Sequence, residues 1–326
     1  MPHIRHDWYL RSRIRPQHMR LLAVLAEKGS LRHAAAAVKM TQSAATKFIQ
    51  NVEEELGVKL FERSKRGMKP NVFGTAMIRH AQVFLADLDR AHSEIAALAS
   101  GASGQIRVGI LASLSPILVA SAIATLQRQR PGLQAAIITG SQDQLIESLQ
   151  RGDLDLLIGQ PLGLPPGGDL TAEVVGPEIF SLVCRAGHEL ASAERVSLAD
   201  LARQAWVFPI SDSPVRAQID ALFAGKNLPA PVTVVEASST LMQILLVQHS
   251  DMVGMIAADA AAYFARSGML KVLEMPLSGV HGWLGGMFNR VVVITRAERP
   301  QSPSMLAFIE ALRTSRPLVS RRKPAA

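Results

Sequence analysis

The sequence predicts an α/β protein in which a small, helical, strongly basic head precedes a larger and nearly neutral body. Three observations carry this. Residues 1–80 hold 15 Lys and Arg against 6 Asp and Glu, whereas residues 81–326 hold 20 against 21. Residues 16–56 carry a helical apolar period punctuated by Pro and Gly. Beyond residue 105, strand-like runs alternate with helix-like ones, the pattern of βαβ units and mainly parallel sheets. A chain of 326 residues that is 48% hydrophobic has material for more than one core, and 19% charged residues place it away from disordered chains.

Composition narrows the function classes. The single cysteine, Cys184, excludes an intramolecular disulfide framework and suits a reducing compartment. His3 and His6 stand in a basic tail with no further ligands, so no metal and no cofactor are expected. No apolar run follows the first arginines, and Ile117–Leu126 is too short to span a bilayer, so a cytoplasmic protein without a membrane partner is expected. A basic module joined to a neutral body suits a polyanion; a basic surface with no partner is the alternative.

The head is read as a winged helix-turn-helix. Pro16 suits a first helical position and Gly29 stands just past the end of 16–28. Ser30 occupies the N-cap place ahead of Leu31–Val38, whose four alanines, 34 to 37, allow close helix approach. A third helix is expected from Gln42 to Leu56, closed by Gly57. Ala45, Phe48, Ile49, Val52 and Leu56 form its apolar face and leave Gln42, Ser43, Thr46, Lys47 and Gln50 outside. Gln pairs with adenine in the major groove, hydroxyls meet several base edges, and Lys reaches guanine or phosphate. An ordinary solvated helical face is the alternative. After it, Val58–Arg63 and Ser64–Pro70 suggest a β-hairpin wing, with Arg63, Lys65 and Arg66 along a phosphate backbone.

These residues carry a resemblance. The runs Gly29-Ser30-Leu31-Arg32-His33-Ala34-Ala35, Thr41-Gln42-Ser43-Ala44-Ala45-Thr46-Lys47 and Glu53-Glu54-Glu55-Leu56-Gly57-Val58-Lys59-Leu60-Phe61-Glu62-Arg63, continued by Arg66, Asn71 and Gly74, resemble the LysR-type transcriptional regulators of bacteria. Ser43, Lys47 and the pair Pro70-Asn71 depart from the usual residues; Ser43 loosens the start of the helix slightly, and Asn71 can still cap the next one. Gln150-Arg151-Gly152-Asp153-Leu154-Asp155 and Gly187-His188 extend the resemblance over nearly the whole chain.

From Thr75 to Ala99, Met77, Ala81, Phe84, Leu88, Ala91, Ile95 and Leu98 alternate at spacings of four and three, a heptad seam. Packing on the helix's own domain would give a similar stripe. The resemblance implies a dimerising linker helix here, and a homodimer, or a homotetramer, suits paired operator half-sites. Residues 100–104 read as a hinge.

In the body, strands are expected at Ile106–Ile110, Leu133–Thr139, Leu154–Ile158, Ile179–Cys184, Trp206–Phe208, Val232–Val235, Met252–Ile256 and Val291–Thr295. This is too much for one small sheet. Two α/β lobes similar to the family's effector domains and to periplasmic binding proteins are the economical reading. The expected division is a mobile basic extension 1–15, a DNA-binding domain 16–74, a linker helix 75–99, a hinge, an effector domain 105–316 and a basic tail 317–326. Lobe I would comprise about 105–178 and 270–316, and lobe II about 179–269.

Ligands in open α/β sheets bind beyond the carboxyl ends of strands. Four loops there, which the resemblance places along an effector cleft, supply Ser113, Leu114, Ser115, Ser141, Pro209, Ser239 and Thr240 as candidates, with Ser113 foremost. Such residues also populate helix caps generally. Free N–H groups at helix starts would suit a small carboxylate or another polar metabolite. The rival class, an enzyme, lacks a phosphate-binding GxxxxGK[ST] loop and a GxSxG elbow, and the His188-Glu189 start of a zinc motif ends at Ser192. The expected function is therefore regulation of transcription: double-stranded DNA bound by the head, a small effector between the lobes, and RNA polymerase as partner if the protein activates. Association with the nucleoid follows. A constitutive DNA-binding protein is the remaining alternative.

Overall fold

The computed structural model describes residues 9, 14–64, 67–99, 104–161, 164, 168–210, 214–231, 234–274, 289–297 and 299–315. Most of the expected extension 1–15, most of the hinge 100–104 and the tail 317–326 lie outside them. The chain divides into two compact units, Met1–Gly101 with Glu147–Leu154, and Ala102–Ile146 with Asp155–Ala326.

The first unit contains α1 (Pro16–Lys28), α2 (Leu31–Ala37), α3 (Gln42–Leu56), the hairpin β1 (Phe61–Ser64) and β2 (Gly67–Pro70), and α4 (Val72–Ala99). Gly29 ends α1 in the left-handed region at φ +61°, and its carbonyl accepts the Met68 N–H at 2.9 Å, which pins β2 to the α1–α2 turn. Ser30 holds the N-cap place of α2, but its side chain makes no cap bond; at α3 the Thr41 hydroxyl does accept the Ala44 N–H. One core unites Leu21, Leu22 and Leu25 of α1, Ala34 and Ala35 of α2, Phe48 and Val52 of α3, Leu60 and Ala81. Of the four alanines expected to face a neighbouring helix, Ala34 and Ala35 are buried in it, whereas Ala36 and Ala37 are exposed on the other side of the short helix.

In the second unit, β3 (Gln105–Leu111), α5 (Pro116–Gln129), β4 (Gln134–Gly140), α6 (Gln142–Arg151), β5 (Leu156–Gly159) and β6 (Leu170–Glu178) come first. There follow β7 (Phe180–Arg185), α7 (Leu198–Ala202), β8 (Ala205–Phe208), α8 (Pro214–Ala224), β9 (Val234–Glu236), α9 (Thr240–Gln248), β10 (Met252–Ala257), α10 (Ala258–Arg266) and β11 (Leu270–Val272). The last elements are β12 (Asn289–Arg296) and α11 (Pro303–Thr314). Among the described residues these strands form two five-stranded sheets, in the orders β4-β3-β5-β12-β6 and β11-β7-β10-β8-β9. The mixed α/β architecture agrees with the expectation from the sequence.

Several details differ from it. The strand β6 is not evident in the sequence, because Gly176-Pro177 argues against a strand interior; it is an edge strand, where a missing N–H is tolerated. The return to the first lobe comes later than residue 270, since β11 pairs with β7 at the edge of the second sheet. The helices α7, α8 and α10 are likewise not evident. Residues 232–233 of the expected strand 232–235 lie outside the described residues.

The second sheet is buried on both faces. Leu182, Cys184, Trp206 and Phe208 join one core cluster while Val183 and Val207, alternating with them, join another. This is why its strands read as unbroken apolar runs. In the first sheet, Asp155 bonds across to β3: its carboxylate accepts the Arg107 N–H at 2.8 Å while its own N–H donates to the Arg107 carbonyl at 2.9 Å.

Strand directions locate the ligand edge. β4 and β5 run parallel to β3, and β12 is antiparallel to both β5 and β6, so β6 ends on the same edge as β3. In the second sheet β8, β9 and β10 are parallel, and β7, antiparallel to β10, begins at their carboxyl edge. A single residue, Ile179, separates β6 from β7. The carboxyl edges of the two sheets therefore meet at this crossing.

Candidate nucleic-acid interface and ligand cleft

The third helix presents its polar face to solvent. Gln42, Ser43, Lys47 and Gln50 are exposed and Thr46 is half-buried, while Ala45, Phe48, Ile49 and Val52 are buried and Leu56 is half-buried. Positions 42, 43, 46, 47 and 50 fall on one side of a 3.6-residue helix. The hydroxyl of Thr46 donates to the Gln42 carbonyl at 2.9 Å, so toward a base it can only accept, or offer its methyl group. Ser43 shares a 3.1 Å hydroxyl contact with the cap residue Thr41, which steadies the first turn. Arg63 lies on β1, its side chain outside the description, and Lys65 and Arg66 lie outside the described residues.

What supports this helix is only partly visible in the sequence. The His18 ring of α1 stacks on Phe48 at 4.2 Å between centroids, and its Nδ1 accepts the Arg15 N–H at 3.2 Å. Burial, and secondarily the charge of Arg15, hold the imidazole below its ordinary pKa, in keeping with an unprotonated Nδ1. Glu53, near the far end of α3 and only 7% exposed, is a residue that sequence reasoning missed. Its Oε1 accepts the N–H groups of Leu60 at 2.8 Å and Phe61 at 3.4 Å, and its Oε2 accepts from Lys59 Nζ at 2.8 Å. The only sequence signal is an acid four residues past the buried Ile49, on the apolar face.

Asn71 caps α4 as expected, its Oδ1 accepting from the N–H groups of Phe73 and Gly74 at 3.0 Å each. Along α4 the seam divides. Ala81 is fully buried and Met77 half-buried against the unit's own core, alongside Ile78 and Leu85. Phe84, Leu88, Ala91 and Ile95 stay exposed, and the Leu98 side chain is outside the description. The first turns of the seam are thus spent inside the chain, which corrects its expected N-terminal extent: an apolar stripe does not tell which neighbour covers it. Beside the exposed part, a groove of about 750 Å³ is lined by Arg20, Lys39, Leu85, Leu88 and Asp89 among others.

The cleft candidates are less uniform. Ser113 is half-buried on the turn after β3, and Ser141 and Ser239 are exposed. Leu114 is a member of the first lobe's core, which removes it from the ligand-facing set. Pro209 and Thr240 are buried. Ser115 is buried too; its hydroxyl accepts the Ile117 N–H at 3.2 Å and its own N–H donates to Glu178 Oε1 at 3.1 Å. The start of α5, expected to welcome an anion, already holds a carboxylate of this chain. At α9 the Ser239 side chain makes no cap bond. Ile117 of α5 packs against the second lobe's core, so the lobes touch beside this edge. Nearby, Arg216 lies over the Phe208 ring at 4.3 Å and pairs with Asp220 and Glu236.

Cys184 is fully buried, and burial pushes its thiol up to about 11 against the opposing charges of Lys271 and Arg185, far from a nucleophile's range. Among the described residues no His, Cys, Asp and Glu group could hold a metal ion, and no helix is long and apolar enough to cross a membrane.

Residues 16–75 match the family described as bacterial regulatory helix-turn-helix protein, lysR family, and residues 99–317 match the LysR substrate binding domain. The chain is 34% identical over 271 residues to the HTH-type transcriptional regulator GbpR of Azospirillum brasilense, covering 82% of this chain and 78% of that protein. It is 26% identical to the regulator PcaQ of Agrobacterium fabrum over 301 residues, covering 92% and 94%. Among solved structures, a full-length OxyR variant from Pseudomonas aeruginosa aligns with TM-score 0.62 at 22% identity over 92% of this chain and 95% of that one. Full-length CbnR complexed with target DNA aligns with TM-score 0.60 at 20% identity over 93% and 100%. These two show the fold.

Proposed function

Since this chain belongs to the LysR-type family of bacterial transcriptional regulators, DNA-binding proteins with an effector-binding domain, we propose which of its residues read DNA and how an effector alters that reading. The observation that carries the proposal is the exposed polar turn of α3, held from below by Phe48, Ile49 and Val52. Gln42 and Lys47 contact base edges, Gln42 suited to adenine and Lys47 to guanine or phosphate. Ser43, Thr46 and Gln50 contact bases or adjacent phosphates, Thr46 as an acceptor or through its methyl group. Arg63, Lys65 and Arg66 of the wing bind phosphate and add affinity without sequence information.

Two copies pair through the exposed part of α4, Phe84, Leu88, Ala91 and Ile95, with Leu98 continuing the stripe. Two α3 helices are thereby presented to paired half-sites. Apolar exposure of Ile137 and Ile138 on β4 and of Leu241 and Met242 on α9 supports further assembly into a tetramer. A small polar metabolite, a small carboxylate among the candidates, binds at the facing carboxyl edges of the two sheets, contacting Ser113, Ser141 and Ser239. Its differential affinity for two arrangements of the dimer changes operator contacts, and RNA polymerase is the further partner if the protein activates. No catalysis is assigned, and the protein acts in the cytoplasm on nucleoid DNA.

Fluorescence anisotropy on duplex from upstream of the protein's own gene tests the DNA assignment. Wild type and Gln42→Ala/Lys47→Ala are compared across a salt series with unrelated competitor duplex. Competitor-resistant binding by wild type that the double variant loses at least tenfold is expected. Equal, steeply salt-dependent binding by both would reduce the head to a general polyanion surface.

A further inference from the structure

We propose that Glu53 is a positioning residue that joins the recognition helix α3, the wing and the linker helix α4 into one body. The inference rests on the DNA-binding reading above and goes beyond it, because Glu53 itself touches no DNA. Three residues, Lys59, Leu60 and Phe61, form the junction. From one side the Glu53 carboxylate takes the Leu60 and Phe61 N–H groups and the Lys59 ammonium. From the other side Asn71 donates its backbone N–H to the Leu60 carbonyl at 3.0 Å and its Nδ2–H to the Lys59 carbonyl at 2.7 Å. The same Asn71 caps the first turn of α4 through Oδ1. At Gly74, in that turn, an added Cβ would stand 2.0 Å from the Leu60 carbonyl oxygen, so α4 lies directly against the junction.

The arrangement has a mechanical consequence. Both faces of one short extended segment are hydrogen-bonded, one to α3 and one to α4. A rotation of α4 therefore carries the wing and the recognition helix with it. Glu53 is far from the polar first turn of α3, and a carboxylate buried to this degree depends on the hydrogen bonds it makes. Without it, the Met68–Gly29 bond still holds β2 to the α1–α2 turn, but the base of the wing loses its direct tie to α3.

The test uses the full-length protein on its own upstream duplex, with hydroxyl-radical footprinting and a salt series. Glu53→Met keeps the side chain's length but removes the charge and both acceptor oxygens, so the Leu60 and Phe61 N–H groups lose their partner. Asn71→Asp keeps the α4 cap and the backbone bond to Leu60 but replaces the donor to the Lys59 carbonyl by an acceptor, weakening the joint from the opposite side. Lys59→Met removes only the solvent-exposed partner of the carboxylate. In Glu53→Met and Asn71→Asp, protection at the flanking wing phosphates should fade while protection over the α3 contacts persists. The slope of log affinity against log salt should shrink by about 2 if one phosphate contact is lost per protomer of a dimer. Lys59→Met should stay within about twofold of wild type, as an exposed pair does. Full wing protection and an unchanged slope in folded Glu53→Met or Asn71→Asp would overturn the joint. Should Glu53→Met not fold, Asn71→Asp decides alone. A wild type with no operator footprint would instead defeat the DNA-binding reading on which the joint rests.

Discussion

At the scale of single residues, two positions in the head make claims that the rest of the chain cannot relax. Gly74 has an ordinary helical place, and its need for glycine comes from the Leu60 carbonyl that a Cβ would meet. That oxygen belongs to backbone already held by Asn71, so it cannot yield. Gly74→Ala is expected to destabilise the protein by about 2–3 kcal/mol, the cost of overpacking a tight site; an unchanged urea midpoint would refute the close approach. His18 makes a pH statement. Its pKa is lowered in the folded chain by burial first and by Arg15 second. The unfolded chain therefore binds the proton more readily, and the contribution is fully present above about pH 6.5 and lost as pH falls below that value. Wild type should lose more melting temperature than His18→Gln between pH 7.5 and 5.5, and parallel losses would remove His18 as the cause. His18 sits three residues into α1 and could be placed on a helix from the sequence. Its stacking partner could not.

Secondary-structure elements were legible where their signals are local. The third helix runs from Gln42 to Leu56 in the structure as its period and Gly57 predict, because apolar spacing and a left-handed C-cap lie within the segment itself. The apolar stripe of α4 was legible too, but its division was not. Ala81 faces its own core and Ile95, farther along the same helix, is 67% exposed, though the two occupy equivalent heptad positions. What differs is whether another helix of the same chain passes by. Likewise β6 was hidden by Gly176-Pro177, residues that an edge strand accepts and an interior strand does not. The carboxyl-edge loops were found from the alternation of strands and helices, yet Leu114, Ser115 and Thr240 proved buried. Local sequence marks a loop without telling which of its side chains the neighbouring helix covers.

For the molecule as a whole, the exposed half of the α4 stripe carries the expectation about assembly. Leu88→Glu/Ile95→Glu places charge on the free face without touching the Ala81 side, so the fold should survive. Sedimentation should then show a shift from dimer toward monomer, with operator affinity falling at least tenfold because two half-sites are no longer read together. A variant that remains dimeric would move the interface elsewhere. The division into a basic head and a neutral α/β body, the recognition helix with its two faces, and the family can all be read along the linear chain. Each of these is written in charge, period or contiguous motif, which need no knowledge of distant residues. Folding alone brings Glu53 to the backbone of the wing and Ser115 to Glu178 at the start of α5, and sets which part of α4 stays uncovered. These depend on groups brought together from separate stretches of chain, 63 residues apart for Ser115 and Glu178, and no local pattern records which distant group will arrive.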